Sequence, residues 1–495
     1  MDASSILAGV QPGVQPVRAR VQDFEPMLID GRWTAGAAVD RVPVEDPATA
    51  EQVSSIAQAS GADVDAAVAA ARASFEDGRW RSLPVRQRVC VLSRVASLLA
   101  AQAEELAVLE TVDNGKPIER SRGDVDYGIA AFEYYSGAPA RYRGQVVPTD
   151  QAQLVTLVRE PLGVAALILP WNFPFMTAAW KLAPALAAGC SVVIKPAEQT
   201  PLTALRLAAA CAEAGVPAGV VNVVTGDGVV GAALTTHPGV DAVSFTGSTE
   251  VGRHVMAAGA PTLKRLVLEL GGKGANLVFP DADLDAALPQ LVRAAFGHSG
   301  QMCTAAGRIL VHRDLAEELT ERLLGLVDRL VVGPGMAGGV NIGPLVSAAQ
   351  LSRVSGYVDI GVAEGARLLR TGGKLDRPGH FFGPAVFDGL TPAMRVAREE
   401  IFGPVVGLMT FADEAEAVAL ANATEYGLAM GLWTSDLARA TRVAGRLRAG
   451  TVWINTYNQF DPAVPFGGRG QSGIGRELGD VAVDNFTELK SVWVG

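Results

Sequence analysis

From Val164 to Glu269 the chain alternates short apolar runs with helical stretches, and this rhythm constrains the fold more than any other feature. The runs are Val164–Leu169, Ser191–Ile194, Val220–Val224, Ala242–Phe245 and Arg265–Glu269. Helical spacing fills the gaps over Thr177–Ala188, Leu202–Ala214, Val229–Leu234 and Thr249–Ala257. Strands this short and this apolar are buried on both faces, which calls for a parallel sheet covered by helices above and below. Such sheets bind nucleotides in the crevice at the carboxyl ends of their strands. After Gly271-Gly272 a second series begins, with Asn276–Phe279, a helix over Leu284–Ala295, Arg308–Val311 and a helix from Asp314 to Leu330. The expected class is α/β, with a domain boundary at the glycine pair.

Upstream, Ala62 to Gly137 reads as helical, with one helix starting at Asp63 and a second opened by Ser82 and Pro84. Arg141 to Leu162 is polar and β-branched without crossover helices, which predicts strands in an arm outside the main sheet. The segment Val481–Gly495 is too short and apolar to stand alone and is expected to pack on another element or subunit. Met1 to Pro26 lacks a basic segment followed by an apolar run and reads as a loose extension rather than a signal peptide.

Apolar residues make up 49% of the 495 and charged residues 19%, so the chain can bury large cores and is not disordered. A net charge of −10 argues against nucleic acid or an anionic membrane as partner. No apolar stretch is long enough to span a bilayer. Four cysteines, at 90, 190, 211 and 303, show no paired spacing and no CxxC, so neither a disulfide framework nor a metal site is expected. A cytoplasmic location follows from the same observations.

Seven segments carry chemistry-bearing residues. Cys303 lies in the turn-forming Phe296-Gly-His-Ser-Gly-Gln-Met-Cys303, a thiol read alone first as a buried small hydrophobe and second as an exposed nucleophile. In Leu169-Pro-Trp171-Asn172-Phe173-Pro174, Asn172 leaves a strand end, as an oxyanion donor or as a turn residue. Lys195 and Glu198 leave the next strand together, and a carboxylate there suits ribose hydroxyls as well as solvent. Phe245-Thr-Gly247-Ser248-Thr-Glu joins a strand to a helix whose N–H groups would face phosphate, although the GxGxxG fingerprint is absent. Glu269 interrupts an apolar strand end before Gly271-Gly272, and semi-apolar surroundings raise a carboxyl pKa toward that of a general base. Glu399-Glu400-Ile-Phe402-Gly-Pro and Pro465-Phe466-Gly-Gly with Glu477 are glycine-hinged loops bearing an aromatic and a carboxylate.

Taken together, in this order and spacing, these segments resemble the NAD(P)-dependent aldehyde dehydrogenase superfamily from about Met27 to Val494. The resemblance implies Cys303 as nucleophile, Glu269 as general base, and Asn172 with the Cys303 backbone N–H as oxyanion hole. Lys181 and Glu477 would form a proton path behind the base. Trp171, Lys195, Glu198, Gly226, Gly247, Ser248, Glu400 and Phe402 would hold the cofactor, NAD, with NADP possible. Tyr127, Phe173, Thr177, Trp180, Gly297, Met302, Phe460 and Phe466 would line a tunnel for a small-molecule aldehyde. The implied fold is a Rossmann-type NAD-binding domain (1–140 and 161–270), an α/β catalytic domain (271–480) and a small β oligomerisation arm (141–160 and 481–495). The arm implies a homodimer or homotetramer.

Four positions depart from the family pattern. His298 stands where Asn is usual, Gly470 where Lys is usual, Gly297 where an aromatic is frequent and Thr177 where Met is frequent. The last two are smaller and predict a widened tunnel for an aromatic or medium aliphatic aldehyde. Aromatic Tyr127 disfavours a cationic substrate, and Glu198 favours NAD over NADP by repelling a 2′-phosphate. A CoA-acylating semialdehyde dehydrogenase is the alternative activity, opposed by Glu269. A non-catalytic binding protein on the same fold is opposed by the joint presence of Cys303, Glu269 and Asn172.

Overall fold

The structure, a computed structural model, describes residues 21–37, 40–151 and 153–495. The predicted alternation gives an eight-stranded sheet. Its order is Gly473–Ile474, Arg265–Glu269, Ala242–Thr246, Val164–Ile168, Ser191–Lys195, Val221–Val223, Met27–Ile29 and Arg32–Thr34. The strands from Arg265–Glu269 to Val221–Val223 are all parallel and nearly all buried, as their continuous apolar sequence requires. Register fixes which residues emerge together. Thr246 lies opposite Glu269 and Ile168 opposite Lys195, so the segments bearing Asn172, Lys195, Gly247 and Glu269 leave one edge of the sheet side by side.

Antiparallel strands close both ends of this sheet, and neither was read from sequence. Met27–Ile29 pairs with Val221–Val223 at one end. Gly473–Ile474 pairs with Arg265–Glu269 at the other, although it comes from within 271–480. Of the loose extension expected over Met1–Pro26, residues 1–20 lie outside the described part. Its last residues are not loose: Glu25 is buried and paired with Arg206 at 2.8 Å.

The second sheet has seven strands, in the order Arg367–Lys374, Phe382–Asp388, Val405–Phe411, Arg308–His312, Ala275–Val278, Ala429–Trp433 and Thr451–Ile454. All its pairs are parallel except the first. A third, antiparallel sheet joins Gln145–Val147, Leu154–Pro161 and Thr487–Val494. The C-terminal segment therefore packs on the 154–161 strand, leaving Leu489, Trp493 and Val494 exposed.

The helices sit where periodicity placed them, with shifted ends. Ser60 rather than Asp63 caps Gly61–Glu76, and Asp63 completes a capping box. The helix expected from Thr177 begins at Pro174, whose fixed φ suits a first turn. The helix expected from Asp314 to Leu330 spans Ala316–Val327 after a short 3-10 turn.

A buried ionic cluster anchors the loop before Pro174. Lys116 Nζ donates to Glu110 Oε1 at 2.9 Å and Asp124 Oδ2 at 2.8 Å, all three side chains being almost fully enclosed. Charges this deep persist because each is paired. Glu110 Oε2 accepts from the Phe175 N–H at 3.1 Å, and Asn114 Nδ2 donates to Trp171 O at 2.7 Å. Helices Ala103–Asn114 and Ile118–Ser136 thus hold the segment that carries Asn172.

Candidate active site

The carboxyl edge of the first sheet and the loops of the second enclose a cavity of about 960 Å3. Asn172, Glu269, Cys303 and Glu477 all face it. So do Trp171, Lys195, Glu198, Gly247, Ser248, Glu400 and Phe402 on one side, and every predicted tunnel residue on the other.

Cys303 follows the helix Leu284–Phe296 and a tight turn in which His298 and Ser299 adopt left-handed φ of 50° and 55°. That turn packs hard against the Phe402 loop: a Cβ on Gly300 would lie 2.1 Å from Gly403 O. The thiol is half-buried, between the buried and the exposed readings of its sequence. Burial, then the charges of Glu400, Glu269 and Glu477, push its pKa above the ordinary thiol value. A thiolate here needs a proton acceptor or a nearby positive charge. Asn172 Nδ2 donates to Gln301 O at 3.0 Å, which fixes the amide two residues from Cys303 in sequence.

Glu269 ends its strand only 4% exposed, and neither carboxylate oxygen has a hydrogen-bond partner of good geometry. Burial and the neighbouring Glu477 raise its pKa well above the usual carboxyl value, partly offset by Lys181 and Arg476. Space for its Oε1 exists because position 467 is glycine; a Cβ there would come within 2.5 Å. Behind it, Lys181 pairs with Glu477 and donates to Ser244 Oγ at 2.9 Å. Lys181 lies outside the cavity wall and reaches it only through Glu477.

On the other side, Lys195 and Glu198 pair at 3.2 Å. Ser248 caps the helix Thr249–Gly259, accepting from the Val251 N–H at 3.3 Å, and this N-terminus opens toward the cavity. Glu400 Oε1 accepts from the Gly272 N–H at 2.8 Å, while Gly271 leaves room for Oε2, 2.3 Å from where a Cβ would stand. Burial pushes the Glu400 carboxyl up to about 7. Phe402, at φ 62°, meets the Trp171 ring edge-on at 5.2 Å. Gly226 does not reach the wall: its φ of 133° serves a turn against Val230 and Gln58.

A helix N-terminus, the unpartnered Thr246 Oγ1, a Lys–Glu pair and a glycine-bounded carboxylate fit a dinucleotide that needs phosphate and ribose partners. The model of the Aldehyde dehydrogenase family matches residues 33–492. The chain belongs to this family. DhaS of Bacillus subtilis, named as an aldehyde dehydrogenase, is 44% identical over 476 residues, 96% of each chain. The NAD+ complex of an aldehyde dehydrogenase from Bacillus cereus superposes with a TM-score of 0.95 at 41% identity, covering 98% of this chain and 99% of that one. An indole-3-acetaldehyde dehydrogenase in complex with NAD+ gives the same values, TM-score 0.95, 41% identity and coverages of 98% and 99%. The activity is NAD-dependent oxidation of an aldehyde.

In this aldehyde dehydrogenase a ring cluster walls part of the cavity. Phe460 lies 5.8 Å from Trp180 and 5.2 Å from Phe466. Thr177 Oγ1 is occupied with Phe173 O at 2.7 Å, and Gly297 has only Met302 Cε, at 3.5 Å, near a would-be Cβ. His298 is buried outside the wall, its ring 5.3 Å from Phe173 and both nitrogens unpartnered; burial holds its pKa well below the usual value. Sequence reasoning missed Arg120, Gln290, Arg293 and Tyr457, which also line the cavity. The cationic ones sit on helical faces that periodicity reads only as solvated. Among the described residues no helix is long and apolar enough to cross a membrane.

Proposed function

We propose that this aldehyde dehydrogenase converts an aromatic or medium aliphatic aldehyde to its carboxylic acid through a covalent Cys303 intermediate, with Glu269 activating water. The observation that carries this reading is that Cys303, the buried unpaired Glu269 and Asn172 face one cavity. The Cys303 thiolate attacks the carbonyl carbon, forming a C–S bond and an oxyanion. Asn172 supplies a donor to that oxyanion, since its amide has a second N–H beyond the one given to Gln301. The Cys303 backbone N–H is the other donor. Bound NAD supplies the hydride acceptor that leaves the acyl group on sulfur as a thioester, and a positive charge that offsets the surrounding carboxylates. Glu269 takes a proton from water, the water oxygen attacks the thioester, and the C–S bond breaks to release the acid. Glu477 and Lys181 relay that proton away from the base.

Lys195, Glu198, Ser248, Glu400 and Phe402 would hold NAD, and Glu198 beside the ribose disfavours NADP. Replacing Asn172 with Ala is expected to lower kcat by on the order of 10²–10³ with a smaller change in KM, read by steady-state NADH formation. A panel of aldehydes run separately with NAD and NADP tests the substrate and cofactor reading. Higher kcat/KM for bulky aldehydes than for acetaldehyde, and for NAD than for NADP, is the expected outcome. Equal values across the panel would sink the widened-tunnel reading.

Domains at 1–140 with 161–270, at 271–480 and at 141–160 with 481–495 are part of the same proposal, as are a cytoplasmic location and a homodimer or homotetramer. The strand Thr487–Val494, with its apolar Leu489, Trp493 and Val494 exposed, supports assembly through the arm.

A further inference from the structure

Tyr457 anchors the loop that carries Cys303. It follows the strand Thr451–Ile454, is buried, and lines the cavity. Its ring lies 4.7 Å from that of Trp453 and fills a slot in the second sheet. The slot exists because two positions are glycine, Gly274 just before the strand Ala275–Val278 and Gly431 in the adjacent Ala429–Trp433. A Cβ on Gly431 would come within 2.8 Å of the Tyr457 ring, and one on Gly274 within 3.2 Å of its hydroxyl. The Tyr457 N–H donates to Gln290 Oε1 at 3.1 Å, which ties it to the helix Leu284–Phe296 leading into the Cys303 turn. From this seat the Tyr457 hydroxyl donates to Thr304 O at 2.9 Å.

Thr304 directly follows the nucleophile. Around it, Ala305 N–H bonds to Met302 O and Ala306 N–H to Ala294 O, each at 2.9 Å. Gly272 seats the Cys303 carbonyl, which lies 2.4 Å from where a Cβ would stand. The thiol needs such order. Burial, then Glu400, Glu269 and Glu477, resist its ionisation, and the Thr304 N–H acts in the opposite sense. A backbone donor favours the thiolate only while it stays aimed at the sulfur. Burial, then the neighbouring Cys303, hold the Tyr457 phenol above its usual value, so it stays a donor. Phenylalanine would fill the same slot, so ring packing alone does not call for the hydroxyl.

We propose that Tyr457 is a positioning residue for the nucleophile, its hydroxyl holding Thr304 so that the Thr304 N–H meets the Cys303 sulfur as the thiolate forms. This rests on Cys303 being the attacking group, and the two claims separate experimentally.

The test follows alkylation of Cys303 by iodoacetamide against pH in a Cys90→Ser background, which removes the exposed thiol. Tyr457→Phe deletes only the hydroxyl. Its rate profile is expected to move up by about half to one pH unit, so that below the inflection Cys303 reacts about three- to tenfold more slowly. Single-turnover NADH formation, with enzyme and NAD in excess over hexanal, should slow by the same factor, while NAD affinity by calorimetry stays unchanged. Trp453→Phe alters the ring packed on Tyr457 but keeps the hydroxyl, and it should leave the profile in place. Gln290→Met frees the Tyr457 N–H and should move the profile in the same direction, which keeps the test decisive if Tyr457→Phe fails to fold. A profile unmoved in Tyr457→Phe, or moved equally by Trp453→Phe, would overturn the proposal; if Tyr457→Phe does not fold, an unmoved Gln290→Met does so. With Cys303→Ala inactive, that failure belongs to Tyr457 alone. If Cys303→Ala keeps turnover, the covalent reading fails and takes the role of Tyr457 with it.

Discussion

Cys303→Ala is expected to lower NAD-dependent aldehyde oxidation by on the order of 10⁴-fold or more, because no other group can form the covalent intermediate. The other thiols offer no substitute. Cys190 and Cys211 are buried in the core, and burial pushes their thiols up to about 11 and about 12. Cys90 is exposed on the helix Val85–Ala101 and does not line the cavity. NAD binding, followed by calorimetry, should persist, since Lys195, Glu198 and Glu400 are untouched. Turnover within tenfold of the parent enzyme would rule out Cys303 as the nucleophile.

Glu269→Gln separates the two halves of the reaction. Attack and hydride loss form the thioester, so a burst of NADH close to one per active site should survive, followed by a steady rate lowered by about 10²–10⁴. The pH dependence follows from the raised pKa of this carboxyl, caused chiefly by burial. Only the deprotonated form can take a proton from water. The parent enzyme should therefore gain deacylation rate as pH rises through that elevated value and lose it as pH falls. The Gln variant should lack this limb. A steady rate equal to the parent's, with no burst, would remove Glu269 from the role of base.

Much of this site was legible because it depends on strand ends. The short apolar runs from Val164 to Glu269 could form only a doubly covered parallel sheet, and its register carried Asn172, Lys195, Gly247 and Glu269 to one edge. What was not legible depends on contacts across long separations. The pairing of Gly473–Ile474 with Arg265–Glu269 is two residues long and has no periodic signature. The left-handed backbone of His298, Ser299 and Phe402 is enforced by tertiary packing, such as the Gly300–Gly403 approach, against the preference of the residues themselves. Gly226, named with the cofactor residues through the family resemblance, does not line the cavity and makes a turn beside Val230 and Gln58. Arg120 and Arg293 meet one cavity from helices far apart in the chain, and each alone reads as an ordinary surface charge.

The edge strand Gly473–Ile474 has a consequence for how the chain is made. Leu270 N–H bonds to Ser472 O at 3.0 Å, Ser472 Oγ donates to Gly271 O at 2.6 Å, and Glu269 sits opposite Gly473. The strand that presents Glu269 is thus finished by residues that leave the ribosome only near the end of synthesis. During translation the first sheet waits with one edge open. A chain stopped before residue 473 would contain Cys303, Asn172 and Glu269, and it would lack the strand that seats Glu269.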